Sequence, residues 1–146
     1  MKIMHYDELF TDTDVNTGED IFFSDTSLEQ PYTGKVVDYY KGMLSWEFEA
    51  LDGFRTGIER KYYDTGELME ENETEHNTIN GLAKEFYKNG NLKSISIVIR
   101  NIFIDSIFYD EEGNTVNIKH MNDSDMSYFL VKDKVTFYRE KYKIDT

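Results

Sequence analysis

Three stretches of the chain, GKVVDYYKGML (residues 34–44), GIERKYYDTGEL (57–68) and GLAKEFYKNGNL (81–92), repeat one pattern. In each, a glycine opens a segment of β-branched, aromatic and charged residues, an aromatic pair follows, and a second glycine precedes a leucine by two positions. DSIFYDEEGN (105–114) is a weaker fourth copy. Several landmarks that recur at one period of about 23–24 residues indicate a tandem array of similar units.

Each unit has the composition of a β-hairpin. Tyr, Val, Ile and Phe favour a half-buried pleated strand, and the second glycine of each unit allows the positive φ of a tight turn. Apolar and polar residues alternate over residues 44–49, which is the period of a strand. Returns between units are predicted at Asp52–Gly53 and Asn80–Gly81. The sequence therefore predicts a mainly β fold, an antiparallel meander of tandem hairpins.

The aromatic pairs before the turns are predicted to be structural. Adjacent strand residues point to opposite faces of a sheet, so one ring of each pair can enter the core while its neighbour lies at the surface. The pairs are Tyr39–Tyr40, Tyr62–Tyr63, Phe86–Tyr87 and Phe108–Tyr109.

The N-terminal segment, residues 1–33, differs from the array in charge. It holds eight acidic residues and one basic residue. We expect a short strand, a polar turn at residues 14–18, and a second strand at residues 21–23 that leads into the array. The chain as a whole, residues 1–146, is predicted to be one domain, with an acidic N-terminal segment (1–33), the hairpin array (34–117) and a C-terminal cap (118–146).

The C-terminal cap is predicted to be helical over residues 126–142. Apolar residues recur there at spacings of three and four, as on one face of a helix, namely Tyr128, Val131, Val135, Tyr138 and Tyr142. Asp123, Ser124 and Asp125 precede the stripe as candidate N-terminal capping residues. A hairpin over the same residues is the alternative, because their β propensity is also good. A terminal helix is favoured since a single sheet needs an element to cover an apolar face.

The charge of the chain limits the classes of partner. Lys and Arg number 16 against 29 Asp and Glu, which gives a net charge of −13. Such a surface repels phosphate backbones and anionic lipid headgroups, so we expect neither a nucleic-acid nor a membrane partner. It attracts basic proteins and accelerates their association. The alternative is that the acidity only maintains solubility.

Other features of the sequence indicate where the protein is located in the cell and which bonds and metal sites it can form. The chain has no cysteine, which excludes disulfides and thiolate zinc sites. No apolar stretch resembles an export signal or a membrane span, so a cytoplasmic protein is expected. The residues Asp12, Asp14 and Asn16 have the spacing of a calcium loop, but Phe23 stands where a glutamate ligand is needed, and a polar turn is the preferred interpretation.

Neither a metal nor a cofactor is predicted. The histidines His5, His76 and His120 have no metal-ligand spacing. Phosphate-binding glycine loops and nucleophile motifs are absent from the sequence, and nothing singles out a catalytic pair among 29 acids. The expectation is a protein that is not an enzyme.

An acidic run in the second unit is the candidate partner-binding site. It carries five negative charges over nine residues without a base and lies beside an aromatic pair. Carboxylates and flat rings at such intervals can imitate a nucleic-acid strand for a basic enzyme cleft. The alternative is that these are solvated positions of a strand. The predicted contact residues are Tyr63, Asp64, Glu67, Glu70, Glu71, Glu73 and Glu75.

The repeat resembles a known family. PYTGKVVDYYKGML (31–44), DGFRTGIERKYYDTGELMEEN (52–72) and NGLAKEFYKNGNLKS (80–94) are similar to the variant MORN repeat of bacterial YwqK-type antitoxins, and the resemblance covers about residues 31–117. It implies a small cytoplasmic immunity protein that binds and neutralises a cognate toxin, frequently a nuclease or a deaminase. The first turn is shorter and the last turn longer than the family pattern. MORN-type arrays also occur elsewhere, so a general protein-interaction scaffold is the alternative.

Overall fold

The computed structural model describes residues 1–144, and its main feature is the predicted antiparallel meander of hairpin strands. Residues 145 and 146 of the predicted C-terminal cap lie outside the described residues. The strands are β1 (Ile3–His5), β2 (Phe10–Thr13), β3 (Asp20–Phe23), β4 (Gly34–Tyr40), β5 (Met43–Leu51), β6 (Phe54–Tyr62), β7 (Leu68–Glu75), β8 (Thr78–Phe86), β9 (Leu92–Ile99), β10 (Ile102–Tyr109) and β11 (Thr115–His120). The α-helices are α1 (Tyr128–Val131) and α2 (Val135–Tyr142), and a short 3-10 helix spans Tyr6–Glu8.

Strands β4 to β11 pair in chain order. The short strand β1 extends this sheet to nine strands by pairing with β4 in parallel, and β2 and β3 form a separate two-stranded hairpin. The predicted polar turn joins β2 to β3. In it the Asp14 carboxylate accepts the backbone N–H groups of Asn16 and Thr17, at 2.8 and 3.2 Å.

The returns between units recur at equal intervals along the chain. They lie at Asp52–Gly53, His76–Asn77 and Arg100–Asn101, and both residues of each return have positive φ. Mirror-image turns of this kind match the twist of the strands that they join. The predicted return at Asn80–Gly81 is wrong, because these residues lie inside β8. Asn77 takes the turn position, since asparagine tolerates positive φ and its side-chain oxygen accepts the Arg55 N–H at 2.8 Å.

The hairpin turns within the units lie at the end of the strands opposite the returns. Their lengths differ from the prediction in one case. The first turn encloses two residues, Lys41–Gly42, and is short as expected. The next two enclose three residues each, with the residue before the turn, Tyr63 or Tyr87, bonded to the residue after it. The last turn was expected to be longer but has the same three-residue form, because Asp110 takes the position of the second aromatic residue.

The two faces of the sheet are covered at opposite ends. Directly paired residues share a face, so the register assigns to one face Phe48, Glu59, Asn72, Ala83, Ser96 and Ser106. We call this the hairpin face, because the β2–β3 hairpin covers it over β4 and β5. The core there consists of Phe22, Tyr32, Val36, Phe48 and Ala50. On the opposite, helix face, α1 and α2 cover β8 to β10 around Ile97, Ile99, Ile104, Val131 and Val135.

The C-terminal cap is helical, as predicted, and the alternative hairpin is wrong. Of the predicted stripe, Val131 and Val135 lie in the core of the helix face, and Tyr128, Tyr138 and Tyr142 are partly buried against it. The helix is nevertheless broken at residues 132–134 into two short helices. The predicted capping residues 123–125 do not cap it, since Ser127 is the N-cap and makes no side-chain cap bond. Asp125 instead closes a turn by accepting the Asn122 N–H at 2.8 Å.

The hairpin and the helices, although on opposite faces, meet at one return turn. The Glu19 carboxylate, in the β2–β3 turn, lies 2.9 Å from Nε2 of His76. Asn77 donates through its side chain to the backbone oxygen of Asp20 at 2.8 Å. A few residues further on, Asn80 donates to the Tyr138 hydroxyl of α2 at 2.8 Å. The segment 76–80 therefore holds both covers in place.

A buried carboxylate fastens α2 to the sheet. Asp105 of β10 is 5% exposed and accepts two hydrogen bonds from the Arg139 guanidinium, both at 2.9 Å. His120 of β11 contacts the same carboxylate at 2.9 Å, and Arg139 also donates to the Met121 backbone oxygen at 3.0 Å. The bidentate geometry and the burial make this one of the stronger classes of ion pair.

Replacing Arg139 should loosen α2. In Arg139→Gln the Asp105 carboxylate stays buried without its cation, a change that costs about 3–5 kcal/mol for fully buried pairs. We expect about 2–3 kcal/mol here, because the Arg139 side chain is 38% exposed. Urea denaturation measures this loss, and the exposed neighbour Glu140→Gln is the control. Equal stability of the two variants would contradict the role given to this pair.

The second aromatic residue of two units links each unit to the next. The Tyr63 hydroxyl donates to the Phe86 backbone oxygen at 2.6 Å, and the Tyr87 hydroxyl donates to the Tyr109 backbone oxygen at 2.8 Å. The prediction of one core ring in each pair is wrong, because none of the eight rings is buried and Tyr39 and Tyr40 are both exposed. Their position at the strand ends, beyond the covered parts of the sheet, explains this.

Removing the linking hydroxyls should lower stability additively. Tyr63→Phe and Tyr87→Phe each delete one hydrogen bond, which contributes about 0.5–1.5 kcal/mol to stability. Each also removes the hydroxyl donor from the backbone oxygen that accepted it. Tyr40→Phe is the matched control, since its ring is exposed. Thermal unfolding of the single and double variants provides the measurement. A double variant as stable as the control would show that the hydroxyls contribute nothing.

Candidate partner-binding surface

The predicted acidic run does not form one surface. Neighbouring strand residues alternate between faces, so Glu70 lies on the hairpin face and Glu71 on the helix face. Glu67 directly follows the hairpin turn, and Glu75 lies at the opposite end of β7 beside the return. The seven predicted contact residues are therefore distributed over two faces and two ends of the sheet.

Glu71 belongs to a ladder of alternating charges on the helix face. Arg60 Nε donates to Glu71 at 2.9 Å, and the same guanidinium lies 3.3 Å from Glu47, which Lys35 also approaches at 3.3 Å. The hydrogen bond to Glu71 is the main reason why the pKa of Arg60 is raised above its ordinary value. The negative charge of Glu71 is thus neutralised within the sheet.

Glu73 has a structural role that recurs in the array. Its carboxylate accepts the backbone N–H of Leu82 at 2.6 Å, as Glu49 accepts that of Ile58 at 2.8 Å in the preceding unit. The neighbouring Gly81 has φ +125°, and a side chain there would collide with the Glu73 carboxylate. The opening glycine of the unit therefore makes room for the glutamate. A signal for this role exists in the sequence, since Glu49 and Glu73 each precede an opening glycine by eight residues.

The remaining predicted contact residues interact with nearby side chains of the protein. The Thr65 hydroxyl donates to the Glu67 carboxylate, and this bond is the first cause of the lowered pKa of Glu67. Asp64 lies 3.6 Å from Lys88 at the surface. Glu75 accepts the side-chain N–H of Asn80 at 3.0 Å. Of these residues Glu67, Asp64 and Glu75 remain exposed.

Beyond the β2–β3 hairpin, the hairpin face over β7 to β10 has a floor of small polar side chains. Its buried residues include Asn72, Ala83, Ser94, Ser96 and Ser106, and the register places the buried Thr74 and Val98 on the same face. The hydroxyls of Ser96 and Ser106 are hydrogen-bonded to each other at 2.7 Å across β9 and β10. Larger side chains on the same face border this floor, and two of them, Glu85 and Phe103, are exposed. We call this region the open hairpin face.

Two carboxylates are directly opposed on the open hairpin face. Glu70 of β7 pairs with Glu85 of β8 in the register of the sheet. Lys61 lies 3.6 Å from Glu70, whereas no basic group of the described residues forms an ion pair with Glu85. Like charges directly opposite each other destabilise a sheet. A basic group from a binding partner would remove this repulsion.

Sequence reasoning missed Glu85. It lies outside the acidic run, and only the pairing of β7 with β8 brings it beside Glu70. The register of this pair depends on the return at His76–Asn77, which the sequence prediction placed at Asn80–Gly81. Opposed positions across a predicted hairpin are a better guide to charge clusters than a run along one strand, because neighbours along a strand point to opposite faces.

Most of the negative charge is not consumed by internal ion pairs. In residues 1–144 the ion pairs with Lys or Arg engage six acidic residues, namely Glu47, Glu59, Asp64, Glu70, Glu71 and Asp105. The whole chain has 29. Glu59 is a buried member of the paired group, and it accepts bonds from Arg55 at 2.6 Å and from Trp46 Nε1 at 2.9 Å.

Two clusters have the residue types of a chemical site. His5, Asp7 and Glu8 place ligand atoms within 4.8 Å of one another, and all three are exposed. Glu19 and Glu75 line a cavity of about 370 Å³ beside His76. There Glu19 is bonded to His76 and Glu75 to Asn80. Both carboxylates of this cavity are thus held by side chains of the protein itself.

Comparisons with protein-family models, curated proteins and solved structures found no match to this chain. Among the described residues, no helix is long and apolar enough to span a membrane.

Proposed function

We propose that this chain is an antitoxin or immunity protein that binds a basic protein toxin and blocks its activity without catalysing a reaction. We expect the chain to act in the cytoplasm and the toxin to be a nuclease or a deaminase, because such enzymes have basic clefts for phosphate-bearing substrates. The repeat pattern described above, with its resemblance to YwqK-type antitoxins, supports this class of protein. The proposed contact surface is the open hairpin face, extended by Glu67 and Asp64 at its turn end.

The observation that carries the proposal is the pair of opposed carboxylates, Glu70 and Glu85, on a floor of mostly small side chains. Charge pairs that are unfavourable in the free protein become favourable when a cation from a partner enters between them. On the same face Phe103, which is 51% exposed, provides an apolar anchor at the return end. The hydrogen-bonded sheet keeps these groups in place before binding, which lowers the entropic cost of association.

Binding should depend on the opposed carboxylates. We expect Glu70→Gln with Glu85→Gln to weaken the complex about tenfold or more, since two charge contacts are lost at the centre of the interface. The double variant Glu111→Gln with Glu112→Gln is the control, because it removes the same charge from an exposed turn. The partner used is the protein encoded beside this chain's gene, and calorimetry at two salt concentrations measures the affinity.

The same experiment separates the proposal from the scaffold alternative. An antitoxin should bind one partner with an affinity that falls as salt rises, and it should rescue growth when that partner is expressed. Several partners bound with little salt dependence would favour a general scaffold. A neighbouring gene product that forms no complex at micromolar concentration would count against the antitoxin function.

A further inference from the structure

One edge of the nine-stranded sheet is the six-residue strand β11. Within residues 1–144 it pairs with β10 on one side only, and all six of its residues are exposed. The opposite edge is the three-residue strand β1. Natural sheets protect their edges by making them short or by covering them. Here β1 is short, whereas β11 is twice as long and no other described element covers it.

The backbone of β11 offers free hydrogen-bonding groups. Met121 N–H donates to the Ile104 oxygen at 2.7 Å just beyond the strand. Because the bonding direction alternates along an antiparallel strand, Lys119 and Asn117 direct their backbone groups toward β10. The N–H and C=O groups of Ile118 and His120 consequently point away from the sheet. Within residues 1–144 no loop or turn bonds to them.

Apolar side chains accompany this free edge. Val116 is 63% exposed and Ile118 is 43% exposed, and Met126, which is 95% exposed, lines the same shallow cavity as Ile118. Lys119, the one Lys or Arg of the strand, does not guard the edge, because its ammonium group lies 5.4 Å from the Phe108 ring of β10. A strand with free backbone groups and exposed β-branched residues is suited to pairing with another strand.

The distribution of charge indicates which strand can approach. Residues 110–144, which include the turn before β11, hold six Lys or Arg and seven Asp or Glu, whereas residues 1–33 hold one Lys and eight Asp or Glu. Two molecules with a net charge of −13 repel each other least when these C-terminal regions meet and the acidic N-terminal regions point away. The edge of β11 therefore fits a second copy of this chain.

We propose that β11 pairs in antiparallel fashion with β11 of a second copy, with the two-fold axis at Ile118, to form a continuous sheet of two molecules. In this register Ile118 pairs with Ile118 of the second copy. Asn117 pairs with Lys119 of the second copy, and Val116 pairs with His120. An axis at Lys119 would instead place two ammonium groups opposite each other, which disfavours that register. This inference does not depend on the proposed antitoxin function.

Sedimentation velocity of the full chain tests the dimer. We expect a dimer fraction that rises with protein concentration and with added NaCl, because salt screens the repulsion between the two acidic molecules. Ile118→Lys should weaken association about a hundredfold, since it places like charges opposite each other in the contact. Val15→Lys is the control, because Val15 is 96% exposed in the β2–β3 turn and its replacement changes the charge equally.

Cross-linking tests the register and does not rely on the lysine variant. The chain has no cysteine, so Ile118→Cys introduces a single thiol. Directly paired strand positions fall within the Cα separation that a disulfide spans. Mild oxidation should therefore convert Ile118→Cys to a covalent dimer much faster than Val15→Cys. A wild-type chain that stays monomeric at several hundred micromolar in high salt, or equal oxidation of the two variants, would overturn the proposal and leave the edge to a strand of another protein.

Discussion

The return turns with positive φ are the constraint on which the rest of the structure depends. They recur at equal intervals, at Asp52–Gly53, His76–Asn77 and Arg100–Asn101, and each fixes the register of the two strands that it joins. A shift of one residue would exchange the two faces of a strand. Because the register is kept, glutamates such as Glu73 meet the opening glycine of the next unit, and the small residues of β7 to β10 share one face.

The charges of the molecule fall into two groups with different consequences. The ladder around Arg60 and the buried Asp105 use opposite charges to hold strands and helix together, and these pairs are partly shielded from salt. Glu70 and Glu85, together with the acidic N-terminal segment, keep an excess of negative charge. The two proposed associations therefore respond to salt in opposite directions. A basic partner binds less tightly as the salt concentration rises, because salt screens the attraction. Two acidic copies associate more readily, because salt also screens their repulsion.

The periodicity of apolar side chains along the chain predicted much of this fold. The features that it did not predict depend on contacts between residues that are distant in the sequence. The hairpin array and the helical stripe of the C-terminal cap follow from side-chain periodicity, which a sequence displays directly. The division of the acidic run between faces also follows from periodicity, but only after the strand is placed. Asp105 and Arg139 lie far apart in the chain, and no spacing rule connects them. The return at His76–Asn77 was missed because the neighbouring Asn80–Gly81 has the stronger turn composition, although Gly81 serves to accommodate Glu73.

Tandem arrays commonly gain or lose units by duplication, since each unit contacts mainly its neighbours. The segment 76–80 restricts that freedom here. It contacts the N-terminal hairpin through Glu19 and α2 through Tyr138, so the two terminal elements are positioned for this number of strands. An inserted hairpin would move them apart by about 10 Å, the width of two strands, and would break one set of contacts. The contacts at the two ends of the array therefore constrain the number of its strands.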